Sequence, residues 1–123
     1  MLDHVGLNVS DYERSRRFYE AALAPLGWRV VMGNEEWGGA GFGVDDKPVF
    51  WIVRRDPVSP GAHVAFQARD RAAVDAFHAA ALAAGGTDNG APGLREHYHP
   101  TYYAAFALDP DGANVEAVCH AQA

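Results

Sequence analysis

Six histidines are distributed over 123 residues, and two of them occupy matching places. His4 and His63 stand about half a chain apart, each followed by valine in an apolar run. A third group that could join them is Glu116, set between Val115 and Val118 in the run Asn114 to Cys119. A carboxylate in a run that otherwise reads as core costs free energy unless it is paired or binds a cation. Two imidazoles and one carboxylate, with coordination positions left open, suit a divalent transition metal such as Zn, Ni, Fe, Mn or Co. A second concentration of chemistry lies in Arg95 to Tyr103, REHYHPTYY. His97 or His99 can move protons near neutral pH, and Tyr102 or Tyr103 can donate to a developing oxyanion. Trp51, Phe42 and Tyr102 are expected to line the place where a small molecule would sit.

These side chains need strands to aim them. Leu2 to Val9 alternates as a strand, with Val5, Leu7 and Val9 on one face and His4, Gly6 and Asn8 on the other. Ser10 to Glu13 fits a capping box, with Ser10 as N-cap and Glu13 reaching back, and predicts a helix to about Ala24. Pro25 and Gly27 bound its end. Strands follow at Trp28 to Met32, Ala40 to Gly43 and Val49 to Val53. The stretch with Pro57 and Pro60 reads as a linker, and the pattern then restarts. Ala62 to Ala68 is a strand and Arg69 to Ala84 a helix. Thr87 to Pro100 is a long polar connection with room for one short strand near Leu94. Tyr102 to Leu108 and Asn114 to Cys119 are strands around the turn Asp109-Pro110-Asp111-Gly112. The order is βαβββ, linker, βαβββ: an α+β domain of two modules, about 1–55 and 62–120, joined by 56–61.

Residues in phase with Val5 and Val64 should pack on the helices, so His4 and His63 point to the other face. Val115, Ala117 and Cys119 are the more uniformly apolar set of the last strand, which places Glu116 on that face too. If the modules pair about a pseudo-twofold axis, His4, His63 and Glu116 converge. Aligning the turns of the two modules puts Trp51 in the place that matches Glu116, so a fourth protein ligand is missing. Three ligands with open positions is the arrangement of a catalytic or substrate-binding metal. Of the two tyrosines, Tyr103 is expected to face the cavity, in phase with the small Ala105 and Ala107.

The remaining features exclude several classes. A net charge of −6 argues against nucleic acid or an anionic membrane as partner. The longest apolar run is too short to span a bilayer, and the charged start is no signal peptide. The single Cys119 permits no internal disulfide, fits a cytoplasmic protein and reads as a small core residue. His78 is expected at a helix surface or interface, and His120 in a structural role. The glycine run Gly38 to Gly43 has no helix after it and is not a dinucleotide loop.

The repeated modules, the opening LDHVGLNVSDYERSRRFYEAAL, the second opening HVAFQARDRAAVDAF and the ending LDPDGANVEAV together resemble the vicinal oxygen chelate superfamily. That group includes glyoxalase I, bleomycin-resistance proteins, methylmalonyl-CoA epimerase and extradiol dioxygenases. The resemblance implies a glyoxalase-like half-open barrel and metal ligands at His4, His63 and Glu116. It also implies bidentate chelation of a substrate through adjacent oxygens, the metal stabilising an enolate-like oxyanion. Trp51 departs from glyoxalase I, where a glutamate or glutamine completes the metal site and takes part in proton transfer. The expectation is therefore a metal-dependent lyase, isomerase or epimerase acting on a small molecule. A bleomycin-resistance-type binding protein is the alternative, extradiol ring cleavage a third. Family members usually dimerise, so a homodimer is expected, with the modules closing within one chain or between two.

Overall fold

The computed structural model describes residues 1–121. The first unit runs β1 (Val5–Val9), α1 (Tyr12–Leu23), a 3-10 turn (Ala24–Leu26), β2 (Arg29–Asn34), β3 (Gly39–Gly43) and β4 (Phe50–Arg54). The second runs β5 (His63–Gln67), α2 (Arg71–Ala83), β6 (Thr87–Leu94), β7 (Tyr103–Leu108) and β8 (Asn114–Cys119). Each unit forms its own four-stranded sheet, in the order β1-β4-β3-β2 and β5-β8-β7-β6. In each, the opening strand runs parallel to the closing one, and the other neighbours are antiparallel.

The helix starts show how the chain sets its elements. Asp11, not Ser10, caps α1, its carboxylate accepting from the Arg14 amide at 3.1 Å. Ser10 is drawn away by Asp111, which accepts from both its amide and its hydroxyl. Asp70 caps α2 in the same way through the Ala73 amide at 2.8 Å. Gly27, in the left-handed region at φ 85°, closes the 3-10 turn by donating to the Ala24 carbonyl.

The helix-facing sides of both sheets share one core. Tyr19 packs on Phe50 at 5.0 Å between ring centres, Phe50 on Phe66 at 5.2 Å, and Phe66 on Trp28 at 5.2 Å. These rings cross from the first unit to the second, and α1 packs against α2. A buried polar tie reinforces the junction. Tyr19 donates to Asp109 Oδ2 at 2.5 Å, while Asp109 Oδ1 accepts from the Asp111 and Ala113 amides at 2.9 Å each. Among the described residues no strand of one sheet pairs with a strand of the other. Both helices pack into the shared core, against one face of each sheet, and leave the other face open.

The segment expected as a long connection is instead the eight-residue β6. Its composition, TDNGAPGL, is that of turns, and pairing with β7 overrides it through register slips on both sides of Gly90. β2 slips once, between Val30 and Met32. The linker covers part of β1: Ser59 accepts from the Asn8 amide and donates to the Asn8 carbonyl, and Pro57 accepts from the Asn8 side chain. Among the described residues no helix is long and apolar enough to cross a membrane.

Candidate functional site

Strand register decides which side chains meet. In the second sheet Ala65 pairs with Glu116 and His63 with Asn114, so His63 and Glu116 stand diagonally on the helix-free face. His63 Nε2 lies 2.8 Å from Glu116 Oε1. Tyr102 donates its phenol proton to Glu116 Oε2. Glu116 is 1% exposed, whereas the His63 side chain is half open to solvent. The imidazole is thus the accessible edge of an otherwise sealed carboxylate. Burial and the bond to Glu116 push the Tyr102 phenol up to about 12.

Tyr103 points the other way. It donates to Asp75 of α2 at 2.6 Å, and the Arg71 guanidinium lies over its ring. The expectation that Tyr103 would face the cavity is thereby reversed. Ala105 and Ala107 are small because α2 packs on that side of β7, not because a ligand needs the space. Phe42 is corrected for the same kind of reason. It is fully buried against Tyr19 and Phe50, and Gly41 beside it takes the open face. His78 is also buried, bonded to Asp88 at 2.9 Å, rather than at a helix surface.

His97 and His99 sit in the exposed loop between β6 and β7. The His97 ring lies 4.1 Å from Tyr98, and Tyr98 meets Tyr102 edge-on at 5.1 Å. His99 Nδ1 lies 3.1 Å from the Thr101 hydroxyl. Exposed His120 stands edge-on to Tyr102 at 5.3 Å. The loop therefore forms an aromatic rim that reaches Glu116 through Tyr102.

The first sheet repeats this register with other chemistry. Gly6 pairs with Trp51 as Ala65 pairs with Glu116, so Trp51 occupies the place that matches Glu116. His4 lies at the same end of its sheet as His63 does of its own, with Nδ1 2.7 Å from Asp3 Oδ1. Asp3 also accepts from Lys47 at 2.6 Å, and this bond, more than the one to His4, pulls its carboxyl below the usual range. In the tautomer that donates Nδ1–H to Asp3, His4 Nε2 keeps a free lone pair. His4, Trp51, Trp37, Pro48, Val53 and Lys47 line a cavity of about 620 Å³. Asp3 and Lys47 escaped the sequence reading, although Asp3 stands next to His4; nothing local marks Lys47 as its partner.

Within one chain, His63 and Glu116 meet and His4 stays on the other sheet. Among the described residues no group of three or more His, Cys, Asp or Glu side chains is placed to hold a metal ion. His63 and Glu116 are donors of the kind zinc-like ions take, but two such donors on a tetrahedral ion stand roughly 3.4 Å apart, so the 2.8 Å between Nε2 and Oε1 is a direct hydrogen bond that would have to open by about half an ångström to admit one.

The family model for the glyoxalase/bleomycin resistance protein/dioxygenase superfamily matches residues 1–117. Among solved structures the chain is similar to a glyoxalase/bleomycin resistance protein from Albidiferax ferrireducens T118. The TM-score is 0.79 at 32% identity, over 94% of this chain and 95% of that one. It is also similar to a glyoxalase I variant from Zea mays, with a TM-score of 0.71 at 29% identity over 95% of this chain. The match takes in 45% of the maize chain, so this protein spans about half its length. A family enzyme from Burkholderia phytofirmans PsJN, at 20% identity and a TM-score of 0.73, shares the fold. A comparison with curated proteins gave no match.

Proposed function

Because the chain belongs to the glyoxalase/bleomycin resistance protein/dioxygenase superfamily, we propose that it is a metal-dependent enzyme acting on a small oxygen-rich molecule. His63 and Glu116 of one copy would hold the divalent ion, and His4 of a second copy would complete the set in a homodimer. The observation that carries this reading is Glu116: a fully buried carboxylate whose side-chain partners are one imidazole and one phenol. Burying its charge costs free energy that these two partners offset in part, and an ion held with His63 would supply a full counter-charge. When bound, the metal would polarise two adjacent substrate oxygens.

The chain's own groups do the rest. Tyr102 holds a proton at its phenol oxygen, aimed at Glu116 Oε2, and is the nearest candidate to transfer one. His97 and His99 stand behind it on the rim as exchangers with solvent. Trp51, in the place that matches Glu116, leaves that coordination position to substrate or water. The lone buried Cys119 suits a cytoplasmic protein.

Metal analysis of purified protein tests the reading. Bound divalent metal is expected, with affinity falling in His63→Ala and Glu116→Gln by more than the roughly 10–100-fold that loss of an outer-shell partner costs. Absence of metal in the wild type after reconstitution would sink it. The cavity of about 620 Å³ on the first sheet favours a second reading, sequestration of a small molecule without turnover. Product analysis separates the two, since any chemical conversion of a bound compound excludes pure sequestration.

A further inference from the structure

Beside His4, the open face of the first sheet carries a construction that a set of metal ligands does not explain. β3 presents Gly39 and Gly41 on that face, opposite Val53 and Trp51 of β4. Both glycines lie under indoles. A Cβ at Gly39 would overlap the six-membered ring of Trp37. At Gly41 it would stand 2.6 Å from the Pro48 Cβ and 2.9 Å from Trp51 Cε2 and Cζ2. These contacts are closer than real side chains tolerate. Glycine is therefore what lets the two rings lie against the backbone, and all five residues of β3 are covered.

The rings are not absorbed into the core. Trp37 is 49% exposed and Trp51 partly so, and with Pro48 and Val53 they pave the cavity described above. Burying indole is strongly favourable, so an indole left half open on a built floor is a surface kept for something to cover. One end of the floor is polar: Lys47, Asp3 and His4 follow one another by hydrogen bonds. The Lys47 ammonium has a carboxylate partner that is itself exposed to solvent and can exchange it for another.

We propose that this face binds a planar aromatic compound carrying an anionic oxygen substituent. The ring stacks on Trp37 and Trp51, and the oxygen points to the Lys47 ammonium. Flat rings suit the floor because offset stacking needs two parallel π faces, which an aliphatic ligand lacks. The proposal rests on the reading of the open faces as the small-molecule site, and it names the substrate class.

Tryptophan fluorescence titration of the full chain, stripped of metal with chelator, tests it with 2-naphthoate and cyclohexanecarboxylate as probes. Trp28, partly buried and edge-on to Phe66, lies outside the cavity lined by Trp37 and Trp51, so Trp37→Ala and Trp51→Leu separate its signal from theirs. Saturable quenching by 2-naphthoate is expected, with cyclohexanecarboxylate about tenfold weaker. Trp37→Ala, and Trp51→Leu as a second variant, should weaken 2-naphthoate about tenfold; Lys47→Met should weaken it too. Tyr103→Phe, on the helix side of the second sheet, should bind it as the wild type does. Melting curves show that each variant is folded. Equal binding of the two probes, or wild-type affinity in both folded tryptophan variants, overturns the proposal. So does metal binding through His63 and Glu116 without any 2-naphthoate quenching, which leaves the metal reading intact. Quenching in a protein that binds no metal supports the platform and removes the metal reading.

Discussion

Glu116 is held by His63 and Tyr102 at the centre of the second sheet's open face. Replacing Tyr102 by Phe leaves Oε2 without its phenol donor inside a buried site, at a cost of about 1–3 kcal/mol. A lowered denaturation midpoint in urea checks this. The same substitution has a pH signature. Burial and the bond to Glu116 raise the folded phenol from 10.0 to about 12. Between those values the folded chain keeps the proton and the unfolded chain loses it, so stability falls as pH rises through that window. Urea midpoints measured on either side of about pH 10 should converge in Tyr102→Phe more than in the wild type. The positions of His63 and Glu116 were legible in the sequence because period-two alternation assigns a face once one apolar set is known. The choice between Tyr102 and Tyr103 was not. It depended on whether Ala105 and Ala107 made room for a ligand or for α2, and only the packing decides that.

Among the elements, β3 has the least freedom to vary. Gly41→Ala should cost about 1–3 kcal/mol as Trp51 and Pro48 are pushed aside. Gly43→Ala should cost more. Its Cβ would collide with the backbone carbonyl of Lys47, which cannot rotate away as a side chain can. Chemical denaturation of the two variants checks the order. The elements that the sequence concealed share one physical cause, which is that a distant partner outweighs the local signal. β6 looks like a string of turns until β7 pairs with it. Ser10 looks like a cap until Asp111, a hundred residues on, takes both its hydrogen-bonding groups and Asp11 caps instead. Helices α1 and α2 were legible because their apolar stripes and stop signals are local.

For the whole molecule, the duplication was visible in the matching histidines and turns, and the match to residues 1–117 bears out the superfamily. The joint core of the two units was not visible, since it depends on rings from both units meeting at Phe66. Tyr19→Phe removes a donor from buried Asp109 at this junction. A loss of about 1.5–3 kcal/mol is expected for a hydrogen bond to a charged group, read as a lower midpoint of a single unfolding transition. The site proposed to be shared by two copies can be tested by complementation. His4→Ala and His63→Ala chains should each bind metal poorly alone. After mixing under conditions that exchange subunits, one intact site should return per mixed dimer, and metal analysis would see it. No recovery in a verified mixed dimer would count against a site built from two copies.

The register slips in β2 and β6 also bear on aggregation. An unpaired strand edge is a template on which another chain can add a strand. The slips break the ladder along the outer edges of both sheets, and the linker's bonds to Asn8 occupy part of the β1 edge. Among the described residues β5 carries neither device. Edge-to-edge stacking into fibres therefore finds its easiest entrance on a five-residue strand, too short to hold an added strand well. Changes that lengthen or flatten β5 are those expected to promote aggregation.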